Sequence, residues 1–114
     1  MSNETELPIE VDVTEVQSLR DQGDSFLLLD VRERDEYDTA KIEGSLLIPM
    51  SELRDRLDEL ETHRESRIIV HCHHGGRSMQ VTNALRARDY AKCQNMAGGI
   101  DQWSVQIDPS VSRY

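Results

Sequence analysis

The segment from residue 71 to residue 78 holds the side chains of this sequence that are best suited to chemistry. It reads His-Cys-His-His-Gly-Gly-Arg-Ser, so that Cys72 is followed by two glycines and then by Arg77. An apolar run precedes the cysteine and an amphipathic segment follows it, which places Cys72 where a strand ends and a helix begins. Glycine adopts backbone angles that other residues resist, and the chain after Cys72 can therefore curl its amides toward the sulfur.

Two features of this loop favour the thiolate form of Cys72. The N-terminus of the following helix supplies partial positive charge, and Arg77 supplies a full charge. Such a loop is a cradle for an anionic sulfur or for an oxyanion bound to it. We therefore interpret Cys72 as a nucleophile, although an isolated cysteine is more often a small buried apolar residue. Cys93 has only Lys92 as a close cation and no glycine loop after it, so we predict that Cys93 is structural.

The elements that position this loop alternate between short apolar runs and amphipathic segments. The predicted strands cover about residues 9–13, 26–31, 46–48, 67–71 and 93–96. The first predicted helix runs from an N-cap at Thr14 to about Gln22, and the second is capped by Ser51 and has Leu53, Leu57 and Leu60 as its apolar stripe. The third runs from about Arg77 to Arg88 with Val81, Ala84 and Leu85 on one side, and a short fourth helix contains Trp103. This alternation predicts an α/β domain whose central, mainly parallel sheet has helices on both faces. Such sheets bind ligands beyond the carboxyl ends of their strands, where the Cys72 loop lies.

Four short motifs follow one another along residues 29–103. They are Leu29-Asp30-Val31-Arg32-Glu33 with Glu36-Tyr37, then Ile42-Glu43-Gly44-Ser45 with Ile48-Pro49, then the loop from Cys72 to Ser78, and finally Ala97-Gly98-Gly99-Ile100 with Trp103. In this order they resemble the rhodanese (thiosulfate sulfurtransferase) homology domain in its single-domain form. The resemblance implies a rhodanese-like α/β fold and a catalytic cysteine, Cys72, that cycles through a persulfide.

The chemistry of such a cysteine consists of two displacements. The Cys72 thiolate attacks the outer, sulfane sulfur of thiosulfate or of a persulfide donor, and a second nucleophile then takes the sulfur. We expect the partners to be a small anionic sulfur donor and an acceptor that is a thiol, cyanide or a protein. No cofactor is expected. The predicted substrate-binding residues are the rest of the loop: His73, His74, Gly75, Gly76, Arg77 and Ser78.

Three other interpretations of the loop compete with this one. A cysteine phosphatase needs five residues between its cysteine and its arginine to encircle a tetrahedral oxyanion, whereas four separate Cys72 from Arg77. A metal site is disfavoured because His71 and Cys72 point to opposite faces of a strand, and we predict no metal. The same loop also serves a sulfur-relay or regulatory module that acts on a protein partner with little turnover, and this alternative stays open.

Asp30 and Arg32 follow a second strand and are predicted at the same edge of the sheet as the Cys72 loop. A structural ion pair is the favoured interpretation, because charged groups at strand ends are commonly structural. The functional alternative is that Asp30 and Arg32 support the Cys72 loop without contacting the substrate. We predict packing and backbone geometry, rather than substrate contact, for Trp103 and for the Gly98-Gly99 turn.

The overall charge limits the partners of the chain. Its 114 residues include 22 acidic and 13 basic side chains, a net charge of -9, which argues against nucleic acid and anionic membranes. No run approaches the roughly 20 apolar residues of a membrane span, and the start lacks a basic region followed by an apolar one. We therefore predict one cytoplasmic domain over residues 1–114, with a short arm at about 1–7 and a tail at about 105–114.

The charge is unevenly distributed along the chain. Residues 66–88 contain four arginines and neither aspartate nor glutamate. We therefore predict that the segment around Cys72 is locally cationic and that added salt weakens thiosulfate binding.

Overall fold

A five-stranded parallel sheet forms the centre of the protein in the computed structural model, which describes residues 7–114. The spatial order of the strands is β1-β5-β4-β2-β3, and every neighbouring pair is parallel. The strands are β1 (Glu10–Val11), β2 (Leu27–Asp30), β3 (Leu46–Leu47), β4 (Ile68–His71) and β5 (Cys93–Met96). All four residues of the central strand β4 are buried, as is expected of a parallel strand covered on both faces.

Helices cover both faces of this sheet. The four α-helices are α1 (Val13–Asp21), α2 (Arg34–Thr39), α3 (Gly76–Arg86) and α4 (Gly99–Gln106), and 3₁₀ helices span Met50–Glu52 and Arg54–His63. One apolar cluster joins α1 and α4 to one face of the sheet, and a second joins α3 and the longer 3₁₀ helix to the other face. The predicted fold class is therefore confirmed, and the sheet is parallel throughout the described residues.

The strand register places the Cys72 loop beside the segment that follows β2. Asp30, the last residue of β2, pairs with His71, the last residue of β4. The chain leaves both strands at the same edge of the sheet, as the sequence predicts for Asp30 and Arg32. This carboxyl edge is where α3 begins at Gly76 and where the candidate site lies.

Three local predictions about the helices are wrong. Asp12, rather than Thr14, is the N-cap of α1, because its carboxylate accepts the backbone N–H of Glu15 at 2.8 Å. The segment after Ser51 forms 3₁₀ helices instead of a capped α-helix, and Arg56 has a non-helical backbone that interrupts the longer one. Its apolar stripe still faces inward, with Leu60 fully buried. Ala84 is exposed, whereas Val81 and Leu85 of the same helix are buried.

The ends of the chain differ from a simple arm and tail. Residues 1–6 of the predicted arm lie outside the described residues. The predicted tail begins inside α4, and beyond this helix the chain folds back, since Val111 packs against the first apolar cluster. Tyr114 reaches the carboxyl edge of the sheet, where its hydroxyl contacts Arg32 and Glu36. Among residues 7–114, no helix combines the length and the apolar composition that crossing a membrane requires.

Candidate active site

The sulfur of Cys72 is enclosed by hydrogen-bond donors from the start of α3. Its Sγ accepts the backbone N–H of Gly75 at 3.1 Å, that of Ser78 at 3.4 Å and the Ser78 hydroxyl at 3.3 Å. Gly75 is the N-cap of α3 and has a φ of 117°, a conformation that favours glycine and turns the following amides inward. Cys72 itself is buried, with an exposed fraction of 1%. The start of α3 therefore directs three hydrogen-bond donors at the sulfur of Cys72.

These donors lower the pKa of the Cys72 thiol. Burial raises its pKa, but the hydrogen bonds from Ser78, Gly75 and the backbone of His74 outweigh burial and leave the pKa below its ordinary value. Burial raises the pKa of the Cys93 thiol, by contrast, to about 12. Of the two thiols, Cys72 is the one whose surroundings favour a thiolate nucleophile.

The Ser78 hydroxyl has two acceptors for its single proton. Besides Cys72 Sγ, it contacts Oδ1 of Asn95 on β5. The Asn95 amide is oriented by its Nδ2, which donates to Glu10 Oε2 at 3.0 Å and to the Gly75 carbonyl at 3.3 Å. A charged thiolate is a stronger acceptor than an amide oxygen, so ionisation of Cys72 draws the Ser78 proton toward the sulfur.

We predict that the Ser78→Ala substitution shifts the titration of Cys72 to higher pH. The variant loses the hydroxyl donor that favours the thiolate, so the thiol pKa rises and the thiolate fraction at pH 7 falls. At an assay pH below the thiol pKa, a rise of one unit in the pKa reduces the alkylation rate by about tenfold. The pH dependence of iodoacetamide alkylation in a Cys93→Ser background measures this shift. An unchanged or more acidic midpoint would contradict the assigned role of the hydroxyl.

A second helix holds the main chain of the loop. The backbone N–H groups of Ile100 and Asp101, in the first turn of α4, donate to the carbonyls of Cys72 and His73 at 2.9 Å and 3.1 Å. Gly98 and Gly99 have positive φ angles of 83° and 60° and direct this turn at the loop. As predicted from the sequence, Trp103 is buried in the core. The Gly98-Gly99 turn thus supports the site through backbone geometry.

Arg77 does not face the sulfur as an unpaired cation. Its guanidinium donates to both carboxylate oxygens of Glu36 on α2, at 2.7 Å and 2.9 Å. This pairing lowers the pKa of Glu36 to about 2, so the carboxylate stays ionised at neutral pH. It also raises the pKa of Arg77 well above its usual value. The prediction that Arg77 adds a full positive charge to the cradle is therefore wrong, because Glu36 neutralises it.

The cationic segment predicted from residues 66–88 is likewise not a property of the site. Arg67 precedes β4 and donates to the Gln94 side chain. Arg86 lies in the last turn of α3 and donates to the carbonyl of Cys93, the first residue of β5. Both lie at the amino edge of the sheet, opposite the Cys72 loop, and Arg88 follows the same end of α3. Three of the four arginines in residues 66–88 therefore lie far from Cys72.

The two loop histidines occupy different surroundings. The His73 ring stacks on the Tyr114 ring, with centroids 4.0 Å apart and planes 9° from parallel. Burial and the adjacent His74 lower the pKa of His73, which favours its neutral form. The His74 side chain is 68% exposed, with Nδ1 4.0 Å from Asp101 Oδ2. Both therefore lie at the mouth of the loop rather than around the sulfur.

Asp30 and Arg32 form a fully buried ion pair. Arg32 donates to both Asp30 carboxylate oxygens, with Nη2 at 2.7 Å from Oδ2. It also donates to the Ala40 and Glu36 carbonyls and to the Tyr114 hydroxyl. The favoured structural interpretation fits these contacts. Arg32 also braces α2, the helix that carries Glu36, and so reaches the site indirectly.

His71 and Cys72 point to opposite sides of β4, as the sequence predicts. His71 Nε2 lies 3.9 Å from Asp30 Oδ2, and burial lowers the pKa of this histidine to about 4. Cys72 belongs to the apolar cluster under α3. Within residues 7–114, no three His, Cys, Asp or Glu side chains come together as metal ligands would.

Three residues of the site carry no role in the sequence prediction. Glu36 was recognised only as part of a motif, and the roles of Asn95 and Tyr114 were missed. Glu36 lies 41 residues from Arg77, and Tyr114 lies 82 residues from Arg32. The available signal was the Glu36 motif itself, because an acidic residue near the carboxyl edge is a natural partner for a loop arginine.

Fold and site together define a parallel α/β protein that surrounds the sulfur of Cys72 with hydrogen-bond donors at the carboxyl edge of its sheet. The model of the rhodanese-like domain family matches residues 12–106. The chain therefore belongs to the rhodanese-like domain family.

Individual relatives agree with this assignment. The adenylyltransferase and sulfurtransferase MOCS3-2 of Zea mays is 32% identical over 105 residues, covering 88% of this chain and 22% of the relative. The putative sulfur carrier protein YrkF of Bacillus subtilis is 34% identical over 88 residues, covering 77% of this chain and 46% of YrkF. The human single-domain sulfurtransferase TSTD1 superposes with a TM-score of 0.77 at 28% identity, over 88% of this chain and 98% of that structure. The chain thus spans about a fifth to a half of these two curated relatives but nearly all of TSTD1.

Proposed function

We propose that this protein is a sulfurtransferase that moves a sulfane sulfur from thiosulfate or a persulfide donor to a thiophilic acceptor. The observation that carries the proposal is the set of donors on Cys72 Sγ, two backbone amides and one hydroxyl. Such a set stabilises a negatively charged sulfur without fixing a larger oxyanion. Relatives whose names include sulfurtransferase or sulfur carrier support the same assignment.

The proposed cycle has two balanced steps. In the first, the Cys72 thiolate attacks the sulfane sulfur of thiosulfate, a new S–S bond forms, and sulfite leaves with the electron pair of the broken bond. In the second, cyanide or a thiolate attacks the outer sulfur of the persulfide, and the Cys72 thiolate is restored. Gly75, Ser78 and the helix N-terminus offset the negative charge at the loop in both steps. Loop residues His73, His74, Gly76 and Arg77 border the space in which the donor binds.

Donor-dependent loading of Cys72 tests this function. Wild-type protein treated with thiosulfate is expected to gain one sulfur atom at Cys72 by mass spectrometry and to produce thiocyanate when cyanide is added. The Cys72→Ser variant should do neither, whereas Cys93→Ser, which removes the other thiol, should retain both reactions. Absence of loading with thiosulfate, polysulfide and mercaptopyruvate would refute the proposed function.

A sulfur-relay role toward a protein partner is the second candidate. The observation that favours it is the likeness of the chain to YrkF, which is named a putative sulfur carrier protein. This role predicts that Cys72 is loaded with sulfur but turns over slowly with cyanide or small thiols. Rapid turnover with these small acceptors would favour the enzyme over the relay.

A further inference from the structure

Glu36 controls the charge that a sulfur donor meets at the loop. Arg77 is the only arginine or lysine within residues 72–78, and Glu36 holds it through two short hydrogen bonds. The pair is partly exposed, with side-chain exposed fractions of 35% for Arg77 and 18% for Glu36, so it borders the mouth of the loop. Glu36 itself is held in place, because the Tyr114 hydroxyl donates to its Oε2 at 3.0 Å and the Glu33 backbone N–H donates to its Oε1 at 3.0 Å.

The other arginines near the loop are paired as well. Arg32 is fully buried against Asp30. Arg113 donates to Asp101, the same carboxylate that lies near His74. Among the described residues around the loop, each of these guanidinium groups therefore has its own carboxylate. An anionic donor meets amide dipoles but no unpaired arginine.

This balance bears on the choice of donor. Thiosulfate carries two negative charges, and its interaction energy with any fixed charge is twice that of a singly charged donor. We infer that Glu36 is a specificity-determining residue whose carboxylate, by neutralising Arg77, disfavours dianionic thiosulfate relative to sulfane-sulfur donors of lower charge. This inference rests on the proposed function and ranks donors that carry at most one negative charge above thiosulfate as substrates.

The Glu36→Gln variant tests the inference with two matched donors. Thiosulfate and methanethiosulfonate both transfer a sulfane sulfur and release sulfite or methanesulfinate, but they differ by one negative charge. Glutamine keeps the size of the side chain and a carbonyl oxygen for Arg77 while removing the charge. We expect kcat/KM to rise about tenfold for thiosulfate. For methanethiosulfonate the expected rise is about threefold, because the interaction energy is halved.

The control variant is Asp38→Asn, which removes one negative charge from an exposed position on the same helix. It should leave the ratio of the two kcat/KM values unchanged. The inference would be overturned if the ratio of kcat/KM for thiosulfate to kcat/KM for methanethiosulfonate were the same in Glu36→Gln as in wild type. A lower ratio in the variant would overturn it as well.

Ionic strength provides a second measurement that needs no variant. The wild-type kcat/KM for thiosulfate should change little with salt, whereas that of Glu36→Gln should fall as the released Arg77 charge is screened. A steep fall in the wild type would overturn the inference even if the variant does not fold. Failure of the proposed function is distinct, because the wild type would then transfer sulfur from neither donor.

Discussion

Replacing Gly99 by alanine is expected to destabilise the protein by about 3 kcal/mol or more and to displace the Cys72 loop. Gly99 has a φ of +60°, and a Cβ built there would lie 2.5 Å from the His73 carbonyl oxygen and nearer still to that of Cys72. Both oxygens belong to the backbone of the loop, so neither can rotate away as a side chain would. Relief of the clash has to move either α4 or the loop that carries Cys72.

Two other glycines separate the components of this effect. Gly76 lies in α3 with nothing within 4 Å of an added Cβ, so Gly76→Ala should keep or slightly increase stability. Gly23 has a φ of +74° and equally open space, so Gly23→Ala isolates the cost of the left-handed backbone, about 1 kcal/mol. Urea unfolding of the three variants measures these differences. Equal losses for Gly99→Ala and Gly23→Ala would show that the clash with the loop is absent.

Replacing Arg32 by methionine is expected to cost about 3 to 5 kcal/mol of the free energy of unfolding. The substitution leaves the Asp30 carboxylate fully buried without its countercharge, and it leaves the Ala40 carbonyl without a side-chain donor. It also removes the guanidinium that binds the Tyr114 hydroxyl. The loss should therefore exceed that of an ordinary surface substitution several-fold.

The double variant Arg32→Met with Asp30→Asn identifies the origin of this cost. Asparagine keeps an oxygen for the Arg32 backbone N–H, which Asp30 Oδ1 accepts at 3.0 Å, but it carries no charge. We expect the double variant to unfold at a higher urea concentration than Arg32→Met alone. If the double variant is less stable than the single one, the buried charge is not the main cost.

The sheet and the cradle could be predicted because their determinants are local. The apolar runs around Leu29 and Val70 mark buried parallel strands, and the glycines after Cys72 mark a tight strand-to-helix connection. Since parallel strands place their carboxyl ends at one edge, the positions of Asp30, Arg32 and Cys72 followed from connectivity alone. The type of helix after Ser51 was not fixed by the leucine spacing, since spacings of three and four residues fit either an α-helix or a 3₁₀ helix over so short a segment.

The electrostatics of the site could not be predicted because its partners are distant in sequence. Arg77 was assigned as a free cation since no acidic residue lies near it along the chain, yet α2 brings Glu36 to it. The prediction of a cationic site from the arginines of residues 66–88 is wrong for a related reason. A strand followed by a helix crosses the sheet twice, so the two ends of this segment lie at the edge opposite its middle.

The contacts that two helices make with Cys72 limit where the second sulfur of the proposed persulfide can lie. The start of α3 donates hydrogen bonds to Cys72 Sγ, and the first turn of α4 donates hydrogen bonds to the main-chain carbonyls of Cys72 and His73. A second sulfur, bonded at about 2.05 Å, has to extend beyond Sγ instead of displacing it. We therefore expect the persulfide and thiol forms of Cys72 to have the same backbone conformation. The outer sulfur should project from the loop, and the acceptor should move to it.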